Sequence, residues 1–224
     1  MKPPGREDVA SIQSRKRARR RRLPAAQRRE VILDAAIGLF ASRGYHASAM
    51  EEIASAAGIS KAVVYDHFAS KQELYTQLLE RIRGDLDAVV EASLAPVEEQ
   101  GEPRVRAAID AFFGYVEAHS DASRLLFLEV QGTAEAAEIV RALELRVTEG
   151  LSATLGENPL LFEGQVERER QLRILAELLK SAIHGLASWW YRYPDVPRED
   201  LVERTVGLVW PAIERASGRA PTRT

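Results

Sequence analysis

The chain has 224 residues, 46% of them apolar, no cysteine, and a formal charge of −2 from 31 Lys and Arg against 33 Asp and Glu. One or two domains with a buried core fit that length, and the lack of cysteine excludes thiol catalysis, disulfide frameworks, iron–sulfur clusters and thiolate zinc sites. No apolar run reaches the ~18 residues needed to cross a bilayer, and no apolar stretch follows the basic N-terminus to make a secretory signal, so a cytoplasmic protein with no membrane partner is expected.

The near-neutral total hides a division. Residues 1–84 hold 16 Lys and Arg against 9 Asp and Glu, whereas residues 85–224 hold 15 against 24. A basic front and an acidic back point to a nucleic-acid-facing part and a part with another task. Residues 1–23 lack periodicity and carry seven cations in eight positions, among them Arg19, Arg20, Arg21 and Arg22. They are expected to form a disordered arm that contacts DNA and steepens the salt dependence of binding.

From Pro24 helical spacing begins. Val31, Ile32, Ala35, Ala36, Leu39 and Phe40 recur every three or four residues, and Gly44 is a stop signal. Ser48-Ala49-Met50-Glu51 matches a capping box, opening a short helix that Gly58 ends. Ser60 starts a third helix to Phe68, and Ser70-Lys71-Gln72-Glu73 is a second capping box before a longer fourth helix. Further helices are expected at 104–119, 123–131, 134–155, 167–193 and 198–217, with no period-2 alternation anywhere. The fold class is all-α.

Three helices with a tight glycine corner between the last two make a helix-turn-helix, whose third helix offers its N-terminal residues to the major groove. The residues Phe40-x-x-x-Gly44-Tyr45, Ser48-x-Met50-x-x-Ile53-Ala54-x-x-Ala57-Gly58-Ile59-Ser60-Lys61 and Tyr65-x-His67-Phe68-x-x-Lys71-x-x-Leu74 resemble the DNA-binding domain of TetR-family transcriptional regulators. The resemblance implies that Ser48 and Lys71 meet phosphates. It implies that Ser60, Lys61, Ala62 and Val63 face bases, and that Tyr65 and His67 reach the backbone or pack beneath the helix. Ala49 and Val63 depart from the family's frequent hydroxyls, so apolar readout of a thymine methyl is expected at Val63. Three segments follow: the arm at 1–23, the DNA-binding domain at 24–84 including the start of helix four, and a ligand-binding and dimerisation bundle at 85–224.

In the back half, Leu172, Leu175, Leu179, Ala182, Leu186, Trp189 and Tyr193 alternate steps of three and four, as do Val202, Val206, Val209 and Ile213. Two such seams suit a four-helix interface about a two-fold axis, which the resemblance also implies, so a homodimer on a palindromic operator is expected. Phe112, Phe113, Val116 and Phe127, with Gln131 and His184 as polar handles, are the candidate pocket for an unknown small effector. The scarcity of basic residues there favours a neutral or cationic apolar ligand over a strongly anionic one.

Other classes fit less well. Ser60, Asp66 and His67 are triad types on one short helix and point apart, and the four histidines have no metal-ligand spacing, so neither an enzyme nor a cofactor is expected. An architectural DNA-binding role would use the arm but leaves the large acidic half without a task. The resulting expectation is a repressor released by its ligand, with a ligand-dependent activator as the alternative.

Overall fold

A computed structural model describes residues 23–98, 101–127, 134–158, 161–162, 164 and 167–217. Among them are nine helices and no strand: α1 Ala25–Ala47, α2 Met50–Ala57, α3 Lys61–His67, α4 Lys71–Leu94, α5 Glu102–Ala118, α6 Ser120–Phe127, α7 Ala134–Gly156, α8 Arg168–Arg192 and α9 Arg198–Ala216. No described helix is long and apolar enough to cross a membrane. Arg19 to Arg22 and Gln131 lie outside the described residues. The described residues fall into two compact units, one of 23–79 with 134–136 and the other of 80–127 and 137 onward.

In the first unit, α1 buries Ile32, Leu33, Ala36 and Phe40, the three-and-four spacing of its sequence. The helix breaks at Gly44, whose φ of 80° and ψ of 164° no other residue type adopts without strain. Gly58, at φ 68° and ψ 30°, ends α2 with a Schellman pair: its own N–H donates to Ser55 O at 3.0 Å and that of Ile59 to Ala54 O at 3.0 Å. At the head of α4, Ser70 Oγ accepts from Glu73 N at 3.0 Å, while the Glu73 carboxylate accepts from Ala69 N at 2.8 Å. Phe40, Ile53, Val64, Phe68, Leu74 and Leu78 are buried together with Tyr75, which meets Phe40 edge-on at 5.3 Å. Each such side chain contributes ~1.5–3 kcal/mol by leaving water, so a small three-helix unit closed by the first turns of α4 is held mainly by these contacts.

The Ser48 cap is corrected. The N-cap of α2 is Ala49, whose N–H donates to the Glu52 carboxylate at 3.0 Å. Ser48 is 2% exposed and its hydroxyl donates to Gly44 O at 2.8 Å. The glycine break frees that carbonyl, and the hydroxyl four residues on takes it instead of an α2 amide.

In the second unit α5 packs on α9, and α6 on α8. Leu161, Leu172, Leu179, Val209 and Ile213 form one buried cluster, with Trp210 and Leu175 packed against it. Of the seam residues, Leu179, Val202, Val206, Val209 and Ile213 are buried within this chain, and Leu175 and Leu186 are half-buried. A three-four repeat marks a buried face without saying whose surface buries it. Other apolar side chains stay exposed: Ile174, Leu178, Ala182 and Trp189 at three-and-four steps along α8, Tyr193 at its C-cap, and Leu208 on α9. Leu178 is 64% and Leu208 78% exposed.

Candidate nucleic-acid interface

The second helix of the motif holds the third through Ile53, Ala57, Ile59 and Val64, all buried. That packing fixes which side of α3 remains outside. Of its seven residues, Lys61, Ala62, Tyr65 and Asp66 are exposed, Val63 and His67 are half-buried, and Val64 is core. Ser60 is the N-cap, its Oγ accepting from Val63 N at 3.4 Å. Tyr65 is 43% exposed, so it stands at the surface rather than beneath the helix, with the Lys61 ammonium 5.6 Å from its ring centroid. His67 instead turns toward Phe68, ring centroids 6.4 Å apart.

Carboxylates from α2 engage one cation of this face and one of α1. Glu51 pairs with Lys61, and Glu52 accepts from Arg43 at 2.6 Å. The hydrogen bond from Lys61 holds the Glu51 carboxyl below the usual carboxylate range, and the same bond raises the Lys61 ammonium. Both side chains are more than half exposed, so the pair adds little stability but does place a negative charge beside the recognition helix.

Lys71 was expected at a phosphate. Its Nζ donates to Tyr45 O at 2.9 Å, Ser48 O at 3.1 Å and His46 O at 3.4 Å, and lies 4.4 Å from the Tyr45 ring centroid. In this chain the polar heads of both Lys71 and Ser48 are engaged by backbone carbonyls.

The second unit holds two cavities of about 710 and 790 Å³. They share six lining residues: Leu94, Ala108, Ile109, Leu151, Thr154 and Ile183. Of the expected pocket residues, Phe112 and His184 line the smaller cavity, whereas Phe113, Val116 and Phe127 line neither. Phe113 packs edge-on against Trp190 at 5.9 Å. His184 lies stacked on Phe112, with Phe127 4.8 Å away, and burial pushes its imidazole down to about 4, helped by the nearby charges of Arg83 and Lys180 and opposed by Glu177. It is a neutral polar handle at physiological pH.

Cations do line one of the cavities, which the sequence did not lead us to expect. Arg83 of α4, Arg146 of α7 and Lys180 of α8 all line the smaller cavity. They lie on three helices, so no run of basic residues announces them in the sequence. Each has an acidic neighbour: Asp87 for Arg83, Glu80 for Arg146 at 3.5 Å, and Glu177 for Lys180 at 2.9 Å.

The model for bacterial regulatory proteins of the tetR family matches residues 32–78. Over 194 residues, 84% of this chain and 84% of the other, the sequence is 34% identical to the HTH-type transcriptional activator FasR of Mycolicibacterium smegmatis. Over 99 residues, 41% of this chain and 46% of the other, it is 35% identical to the HTH-type transcriptional repressor KstR2 of Mycobacterium tuberculosis. Among solved structures, the transcriptional regulator FadR of Bacillus subtilis in complex with stearoyl-CoA has the same fold, with a TM-score of 0.68 at 19% identity over 81% of this chain and 97% of that one.

Proposed function

The chain belongs to the TetR family of bacterial regulatory proteins, which are DNA-binding transcriptional regulators, and from that premise we propose that it acts as a homodimer on a palindromic operator and lets go when a long acyl chain enters its second unit. The observation that carries the ligand class is the pair of cavities with a common wall. Each alone lies within the ~300–1,000 Å³ of ordinary ligand pockets, and together they form a space suited to one long apolar chain. Leu94, Ile109, Leu151 and Ile183 line both parts; Arg83, Arg146 and Lys180 line the smaller one beside Glu80, Asp87 and Glu91, and Arg104 lines the larger. An apolar tail takes the common wall, and an anionic head takes over cations that these carboxylates now engage. FadR, bound to stearoyl-CoA on the same fold, supports this choice of ligand.

Division of labour follows the two units. The first reads DNA through α3, and the exposed row on α8 and α9 pairs two copies. One helix-turn-helix reaches one half-site, so two are needed for a palindrome. Release requires that the ligand bind better to a state whose recognition helices are wrongly spaced. Helix α4 is the element that ligand occupancy would bias, since it bears Glu80, Arg83, Leu86, Val90 and Leu94 at the cavity and Lys71 at the motif.

The test uses the full chain and a duplex that it enriches from a random pool. Stearoyl-CoA should dissociate the complex at concentrations where acetyl-CoA has no effect, and Ala108→Phe, which fills the common wall, should blunt that response while leaving DNA binding intact. Equal responses to both thioesters would overturn the ligand assignment. The same reading covers activation, which the FasR relative favours: ligand then withdraws an activator, and reporter transcription from the enriched site distinguishes the two.

A further inference from the structure

The two cavities follow one another along the helices that line them. On α5 the smaller takes Phe112, both take Ala108 and Ile109, and only the larger takes Gly101 and Val105. On α7 the same order runs from Leu143 to Leu155, about 18 Å of helix at 1.5 Å per residue. A long ligand therefore has its two ends in different surroundings. Around the smaller cavity the cations and carboxylates are balanced, whereas the far part of the larger has one cation, Arg104, against Glu102, Glu157 and Glu214. Like charge repels an anionic head from that end, so the tail runs toward it.

Trp210 of α9 stands there. Its ring lies so close to Gly101, the N-cap of α5, that a Cβ at this position would be 3.1 Å from a ring carbon, inside the ~3.5–4.0 Å at which carbons attract. Any other residue at 101 would displace the ring. The indole is also packed, with Val105, against the cluster of Leu161, Leu172, Leu179, Val209 and Ile213. It is thus a bulky side chain held in place where the tail would end. We infer that Trp210, seated against Gly101, sets the length of acyl tail that the second unit accepts and is a specificity-determining residue. This role rests on the proposed acyl ligand.

Three measurements on the full chain test it. Stearoyl-CoA carrying a diazirine at its terminal carbon should label Trp210 or Val105 on irradiation; label confined to residues outside the larger cavity overturns the inference. Trp210→Ala should raise the ratio of affinity for docosanoyl-CoA to that for stearoyl-CoA about tenfold, since each methylene that finds apolar room is worth about fourfold. Val105→Phe, which shortens the same end, should raise the ratio for dodecanoyl-CoA over stearoyl-CoA by a similar factor. Duplex affinity without thioester should stay at the wild-type value in both, and if one variant does not fold, the other and the labelled position decide. Wild-type ratios in the folded variants overturn the role of Trp210 and leave the acyl ligand standing. A wild-type chain that binds none of the thioesters overturns the acyl ligand and the role together.

Discussion

Replacing His184 by phenylalanine should remove an acid liability that the wild-type chain carries. The imidazole, enclosed by Phe112 and Phe127, is held down to about 4, first by burial and then by Arg83 and Lys180. In the unfolded chain it returns to ~6.5. Between those values the unfolded state binds a proton that the folded state refuses, so stability rises with pH in that window and is lost as pH falls through it. At ~1.4 kcal/mol for each tenfold, the loss between pH 7 and pH 5 is about 2 kcal/mol, growing to about 3 below pH 4. Urea unfolding of wild type and His184→Phe at both pH values isolates this contribution, because other carboxylates and histidines titrate equally in the two proteins. The difference between them should shift by about 2 kcal/mol in favour of phenylalanine on going to pH 5. A difference independent of pH would show that the imidazole is not shielded by its aromatic neighbours, and the reasoning would fail.

Two further outcomes follow from the surface. Glu51→Gln should leave unfolding unchanged and strengthen binding to any duplex a few-fold at low salt, since it frees the Lys61 charge and removes a negative one beside α3; weaker or unchanged binding by fluorescence anisotropy would count against that placement. Leu178→Glu together with Leu208→Glu should yield a folded monomer in sedimentation, because both side chains lie on the exposed row and neither belongs to the core. A dimer that survives both changes would place the interface elsewhere.

Much of the first unit was legible in the sequence because its signals are local. Gly58 lies in the left-handed conformation that the corner between α2 and α3 demands, and Ser70 caps α4. The reading failed where two local signals competed. Ser48-x-x-Glu51 and Ala49-x-x-Glu52 are adjacent registers, and the serine is drawn away because Gly44 exposes a carbonyl to it. The partners that Lys71 has within the chain were hidden for a related reason: they lie more than twenty residues earlier, at a helix end whose break is invisible as a source of acceptors. In the second unit the periodicity of α8 and α9 located the helices and their buried faces, but not which of two apolar rows would be left outside. The cations about the smaller cavity come from three separate helices, so only folding brings them together.

The recognition helix has seven residues, about 10 Å of helix at 1.5 Å per residue, and four exposed side chains. One is an alanine and only one is a cation, so its vocabulary is a word of very few letters. Such a word recurs by chance throughout a genome that offers ~10⁶–10⁹ competing sites. A pair of the words at one fixed separation is far rarer. If the chain acts as the proposed homodimer, most of the information in its address is carried by a distance, and a lineage would acquire a new target by altering how two copies are spaced as readily as by rewriting α3.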